Sequence, residues 1–247
     1  MNDSISINIV IPMAGLGSRF SKNGYTKPKP FIDVSGNPMI VRVLDNLYYK
    51  NARYILIVRK EHLLEEKETF DYIRGNYNVV LVSCDALTEG TACSVLLAEK
   101  HIDNTKPLLI ANSDQIIDES LEVFINDCFA RSLDGSILTF IDNEKDPKWS
   151  FASIDGNGMV LEVKEKVSIS DIATVGIYLY SHGKDYVKYS KKMIANNDRV
   201  NGEFYTCPGY NYAISDDLKI GVYNIPVESM HGIGTPDDLN AYLDKKR

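Results

Sequence analysis

Residues able to hold an anion cluster near the N-terminus. Gly15 and Gly17 lie in Pro12-Met13-Ala14-Gly15-Leu16-Gly17-Ser18-Arg19-Phe20, and Lys27-Pro28-Lys29-Pro30 follows a short way on. Glycines let backbone amides come close to a phosphate, and prolines keep the two ammonium groups on an extended backbone. Together with Arg19, these residues read as a clamp for a polyphosphate. A solvated basic loop beside a glycine turn is the plainer reading of the same composition. Two other glycine-loop chemistries fit poorly. A dinucleotide loop needs a third glycine where Phe20 stands and an acidic residue after the second strand, where Arg59-Lys60 occurs; a P-loop needs Lys-Ser or Lys-Thr directly after its last glycine, where Ser18-Arg19 stands.

These residues need a framework. Apolar runs at Ile5 to Ile11, Tyr54 to Val58, Val79 to Val82, Leu108 to Ala111 and Ser136 to Ile141 alternate with helical patterns, which predicts an α/β fold. The expectation is a Rossmann-like mixed, mainly parallel central sheet with helices on both faces and a small antiparallel insertion. Asn37 and Pro38 read as the N-cap and first residue of a helix running to about Tyr49. Further helices are expected over Lys60 to Arg74, Thr91 to His101, Glu119 to Ser132, Lys184 to Ala195 and Pro236 to Lys245. Phe151 to Ile154 and Met159 to Val163 flank Asp155-Gly156-Asn157-Gly158 as a hairpin, and Thr174 to Tyr180 and Lys219 to Ile225 read as strands. Residues 1–247 are expected to form one domain.

Further along, Thr91 opens a helix as a candidate cap after Thr88-Glu89-Gly90. Asp114 follows Leu108 to Asn112, at the carboxyl end of a buried strand, where ligands of open α/β sheets gather. Capping of the next helix is its alternative role. Glu162, Lys164, Glu165 and Lys166 fit a solvated, salt-bridged edge, and Trp149, the sole tryptophan, fits a partly buried core.

The run IPMAGLGSRF with PKP downstream resembles the signature of the sugar-phosphate nucleotidylyltransferase family, and is most similar to short bacterial members of surface-polysaccharide pathways, including cytidylyltransferases. The resemblance covers nearly the whole chain and implies that residues 1–135 serve mainly the nucleotide and 136–247 mainly an acceptor. It implies that Ala14, Gly15, Leu16, Gly17 and Ser18 approach the nucleotide, that Arg19 holds the phosphates undergoing transfer, and that Lys29 is the second cation. Thr88, Glu89, Gly90 and Thr91 resemble the base-binding turn, and Asp114 the magnesium ligand. Arg19, Lys29 and Asp114 are thus the implied catalytic set. Glu165-Lys166 is similar to a Glu-Lys-Pro element whose lysine neutralises the acceptor phosphate, with Val167 in place of the proline. Gly176 belongs to a small-residue and Ile-Tyr pattern lining the acceptor pocket, Glu203 to an acidic-aromatic segment, and Trp149 to the variable acceptor region. His231-Gly232-Ile233-Gly234-Thr235-Pro236-Asp237-Asp238-Leu239 resembles the closing pattern, but Gly232 stands where many members carry an aspartate as second metal ligand. Glu228, His231 or water remain open as substitutes.

The implied reaction joins a nucleoside triphosphate, with CTP favoured, to a phosphorylated small molecule and releases pyrophosphate, with Mg2+ as cofactor. A glycosyltransferase using a nucleotide sugar is the rival, although it usually needs paired carboxylates where Ser113-Asp114-Gln115 has one. A catalytically silent nucleotide-binding module is the other, encouraged by Gly232. Pyrophosphate release separates the transferase from the glycosyltransferase, and a silent module would show ligand-induced stabilisation without turnover. A net charge of −7 argues against nucleic-acid or anionic-membrane partners. No segment approaches the roughly 18 apolar residues of a membrane span. The four scattered cysteines read as reduced structural thiols, so a cytoplasmic protein is expected, with homo-oligomerisation left open.

Overall fold

In the computed structural model, which describes residues 5–246, the first apolar run forms strand β1 (Ile7–Pro12). Alternation along the strand sends Ile9 and Ile11 to one face of the sheet and Val10 to the other. The glycine loop leads into a short helix, α1 (Ser18–Lys22), and Lys29–Phe31 forms a 3-10 turn. Next comes a small hairpin of β2 (Asp33–Val34) and β3 (Asn37–Pro38), before helix α2 (Met39–Asn46). The capping role expected of Asn37 is therefore corrected. Asn37 pairs with Val34 across Ser35 and Gly36, both at positive φ, and Pro38 caps the helix without a side-chain bond.

Strand β4 (Ala52–Arg59) returns beside β1, and the helix expected over Lys60 to Arg74 is two helices, α3 (Lys60–Glu65) and α4 (Lys67–Asn76). The break is at Glu66, whose φ of −114° and ψ of 37° leave the helical region. After β5 (Val79–Cys84), the expected helix from Thr91 to His101 also divides, into α5 (Thr91–Leu96) and α6 (Glu99–Ile102). Then follow β6 (Leu108–Ala111), β7 (Gln115–Ile117), α7 (Leu121–Ala130) and β8 (Gly135–Ile141).

The remaining elements are β9 (Ser150–Ile154), β10 (Val160–Glu165), β11 (Ile172–Tyr180), α8 (Gly183–Ala195), α9 (Gly209–Ser215), β12 (Ile220–Asn224), β13 (Met230–Gly232) and α10 (Pro236–Lys245). Helix α10 begins as its sequence dictates. Thr235 Oγ1 accepts from the Asp238 amide at 3.1 Å, Pro236 follows the cap, and Asp237 and Asp238 complement the helix dipole in the first turn.

One nine-stranded sheet runs in the order β10-β9-β11-β6-β1-β4-β5, with β8 joined to β11 and β12 to β8. The pairs β1–β4, β1–β6, β4–β5 and β8–β12 are parallel, whereas β11 runs antiparallel to both β6 and β8. The expected hairpin of β9 and β10 is antiparallel and continues the same sheet. Helices cover both faces. Val41 and Leu44 of α2 and Phe124 of α7 pack with Ile9 and Leu56 on one side; Val95 of α5, Tyr186 of α8 and Tyr210 of α9 pack with Val10 and Ile55 on the other. The loops at the carboxyl ends of β1 and β6 are thereby fixed side by side.

Candidate active site

The glycine loop, the second lysine and the aspartate meet at one place. Gly17 has a left-handed backbone, with φ of 61°, and a Cβ added there would stand 2.7 Å from Lys29 Cβ. A side chain at this position would therefore meet both backbone strain and the lysine stem. Lys29 Nζ makes an ion pair and hydrogen bond with Asp114 Oδ2, across 85 residues of sequence. Both side chains are 18% exposed, so the pair is partly screened and still reaches solvent. Arg19, Ser18, Gly15 and Leu16 are exposed around it, and Ala14 is buried beneath. Lys27 is exposed and lines a separate recess with Asn23, Tyr25 and Asp33, so Lys29 alone of the two lysines reaches Asp114.

The second cluster ties the turn Thr88–Thr91 to the segment around Phe204. Gly90, at φ 131°, presses against the Phe204 backbone so closely that a Cβ would collide with its carbonyl oxygen. The Phe204 amide donates to Glu89 O at 2.8 Å, and the Ala92 amide donates to Phe204 O at 3.0 Å. Thr91 does not cap the helix. Gly90 occupies the N-cap, while Thr88 Oγ1 donates to Gly90 O at 3.0 Å and Thr206 Oγ1 donates to Thr91 Oγ1 at 3.4 Å. Arg199 closes the cluster: it pairs with Glu89, donates to Gly202 O at 3.0 Å and lies 4.0 Å above the Phe204 ring.

The third cluster lies at the end of β10. Lys166 has a left-handed backbone, its amide donates to Trp149 O at 3.0 Å, and its ammonium donates to the Tyr205 hydroxyl while lying over that ring. Glu165 is buried and accepts from Ser150 Oγ. Burial pushes its carboxyl above the usual carboxylate range, with the Ser150 bond and Lys166 opposing the shift. The solvated-edge reading of this segment thus fails for Glu165. Glu203 is exposed on the hairpin turn Val200–Glu203. Trp149 packs its ring edge-on to Phe140 at 5.3 Å, as a partly buried core residue does. Gly176, on β11, faces Asn112, whose amide group fills the space a Cβ would take.

Among the described residues no group of three or more His, Cys, Asp or Glu side chains is placed to hold a metal ion. Asp114 is the carboxylate available at the clamp, and its neighbour Gln115 is buried with Oε1 unpartnered. This donor set suits a hard divalent cation completed by substrate phosphate oxygens and water. Of the proposed substitutes for Gly232, His231 is engaged by Asp118 at 2.8 Å, and Glu228 is exposed on the 3-10 turn Val227–Ser229. Arg199, Tyr205, Asn112 and Gln115 emerge only from the fold. Tyr205 and Arg199 lie close in sequence to Glu203, and Gln115 and Asn112 flank Ser113-Asp114, so proximity in sequence was the available signal.

Comparison with known proteins bears on the family and the fold. The family described as Nucleotidyl transferase matches residues 9–207. A bifunctional protein GlmU of Thermoanaerobacter pseudethanolicus is 25% identical over 238 residues, covering 92% of this chain and 48% of that protein. A 2-aminoethylphosphonate cytidylyltransferase of Lancefieldella rimae is 30% identical over 117 residues, covering 40% of this chain and 48% of the relative. The chain spans less than half the length of the curated relatives it matches. A solved nucleoside-diphosphate-sugar pyrophosphorylase from Vibrio cholerae RC9 superposes with a TM-score of 0.82 at 26% identity, over 96% of this chain and 99% of that one.

Proposed function

The chain belongs to the nucleotidyl transferase family, and on that premise we propose that it transfers a nucleotidyl group from a nucleoside triphosphate, with CTP favoured, to a phosphorylated small molecule. The observation that carries this reading is the Lys29–Asp114 pair seated against the Gly17 loop. The cytidylyltransferase among the relatives supports CTP. A precursor for surface polysaccharide is the product class that fits the sequence resemblance.

An acceptor phosphate oxygen attacks the α-phosphorus in line; the new P–O bond forms as the bond to the bridging α,β-oxygen breaks, and that oxygen leaves with pyrophosphate. A phosphomonoester has a second pKa of about 6, so the nucleophile is already ionised near neutral pH and needs no general base. Gly15 and Gly17 present backbone to the triphosphate, while Arg19 and Lys29 neutralise its charge. Lys166, with Tyr205 on its ammonium, holds the acceptor phosphate, and Glu165, Gly176, Glu203 and Trp149 border the acceptor. Asp114 would hold Mg2+, which supplies charge neutralisation at the triphosphate when bound. In this division of labour residues 1–135 serve the nucleotide and 136–247 the acceptor. No helix among the described residues is long and apolar enough to cross a membrane, and the four cysteines are free, which supports action in the cytoplasm.

A screen of nucleoside triphosphates against phosphorylated sugars, polyols and amino-acid derivatives, followed by pyrophosphate release, tests the proposal. With the selected pair, Lys29→Ala and Asp114→Ala are each expected to lower turnover about 100-fold or more. Wild-type turnover in either variant rejects the assignment.

A further inference from the structure

Gln115, the first residue of β7, is 8% exposed, and its Oε1 has no hydrogen-bond partner. A buried amide oxygen left unmatched costs about 1–3 kcal/mol. Such an atom beside a candidate site calls for an explanation. Its surroundings supply one. Across the β7–β13 ladder Gln115 pairs with Gly232, and a Cβ on Gly232 would meet Gln115 Oε1 at 3.9 Å and no other atom within 4 Å. Two residues on, a Cβ on Gly234 would collide with Asp114 Oδ2. Ile233, between the two glycines, buries its side chain with Phe20 and Ile116, and its amide donates to Asp114 O at 2.9 Å. The Gln115 amide oxygen thus lies against Gly232 and the Asp114 carboxylate against Gly234, two residues apart in the same short segment.

We propose that Gln115 Oε1 is the second protein oxygen of the divalent-cation site, acting with Asp114 where Gly232 supplies no side chain. This rests on the reading of Asp114 as a metal-binding residue. Amide carbonyl and carboxylate oxygens are both suitable donors to a hard cation. Exchanging one carboxylate for a neutral amide leaves the site one negative charge poorer, and Lys29 already neutralises Asp114. The cation accordingly binds weakly to the chain alone and tightly together with a triphosphate.

Mn2+ titration read by the electron paramagnetic resonance of the free ion, with and without CTP, tests this independently of turnover. Gln115→Leu keeps the size and removes the oxygen. It is expected to weaken Mn2+ binding in the presence of CTP about tenfold or more, without lowering the melting temperature, because it also removes the unmatched buried atom. Gln115→Glu is expected to tighten Mn2+ binding, and Gly232→Asp placed in the Gln115→Leu chain to restore it. If Gln115→Leu binds Mn2+ as the wild type does while Asp114→Ala does not, the inference about Gln115 is overturned and the reading of Asp114 stands. If Asp114→Ala also binds normally, that reading falls with it. Failure of Gly232→Asp to restore binding would place the Gln115 effect outside the metal's ligands and overturn the inference as well.

Discussion

Gly15 and Gly17 stand two residues apart in one loop, but the folded chain requires only one of them. Gly17 has positive φ and lies on the Lys29 stem, whereas a Cβ on exposed Gly15 would meet no atom within 4 Å. If Gly15 matters, the cause is a ligand approaching its backbone. Gly15→Ala is therefore expected to leave the melting temperature unchanged and to raise the nucleotide Kd about tenfold, or about 1.4 kcal/mol. Gly17→Ala should lower stability as well. Calorimetric titration beside thermal melts reads both, and an unaltered Kd in Gly15→Ala would remove Gly15 from the site. Glu165 gives a pH prediction. Its carboxyl is raised above 4.5 by burial, so the folded chain holds that proton more tightly than the unfolded chain does. Stability from this group is present at low pH and is lost as pH rises from the unfolded value through the folded one. Glu165→Gln should remove that slope and melt higher than wild type at pH 7, yet raise the acceptor KM about tenfold, a stability gain set against function. Melts across pH 4 to 8 that keep the wild-type slope would assign it to another group.

Between elements, the turn Thr88–Thr91 and the hairpin Val200–Glu203 are joined by two backbone hydrogen bonds at Phe204 and by Arg199. The Arg199–Glu89 pair is solvent-facing and contributes little by itself. Stacking on Phe204 is worth about 0.5–1 kcal/mol. Arg199→Ala should accordingly destabilise the chain by about that much, and it should raise KM for nucleotide and acceptor together by a few-fold. An effect on the acceptor alone, in steady-state kinetics varying each substrate, would show that the two segments are not coupled. Such couplings were illegible in the sequence, because Gly90 and Phe204, or Lys29 and Asp114, are brought together only by strand order. The motifs themselves were legible, since Gly15 to Arg19, Lys29 and Asp114 follow strands whose apolar runs are unambiguous. Helix starts and breaks were less so. Asn37-Pro38 carries the letters of a helix start, but the Ser35-Gly36 turn recruits it into a hairpin; at Glu66 and at Leu97-Ala98 nothing in the residue types announces the interruptions.

At the scale of the whole molecule, the proposed division near residue 135 runs through a shared sheet. Strand β11, from the second half, pairs with β6 of the first through Ile177 to Tyr180, and with β8 on its other side. Cutting the chain after residue 135 would strip β6 of that partner, exposing an apolar edge strand open to aggregation. Residues 1–135 alone are thus expected to aggregate or to melt without a cooperative transition. The intact chain should unfold in a single step, as coincident probes would show. Trp149 provides the second probe, because it is the only tryptophan, lies in the second half of the chain and packs on Phe140. Its fluorescence melt should coincide with the far-ultraviolet circular dichroism melt. A nucleotide supplied at about 100 times its Kd should stabilise the folded state by about 2.7 kcal/mol and move both curves equally. If the nucleotide shifted the circular dichroism transition and left the Trp149 transition in place, the second half would be unfolding on its own, and the continuous sheet would not be coupling the two halves.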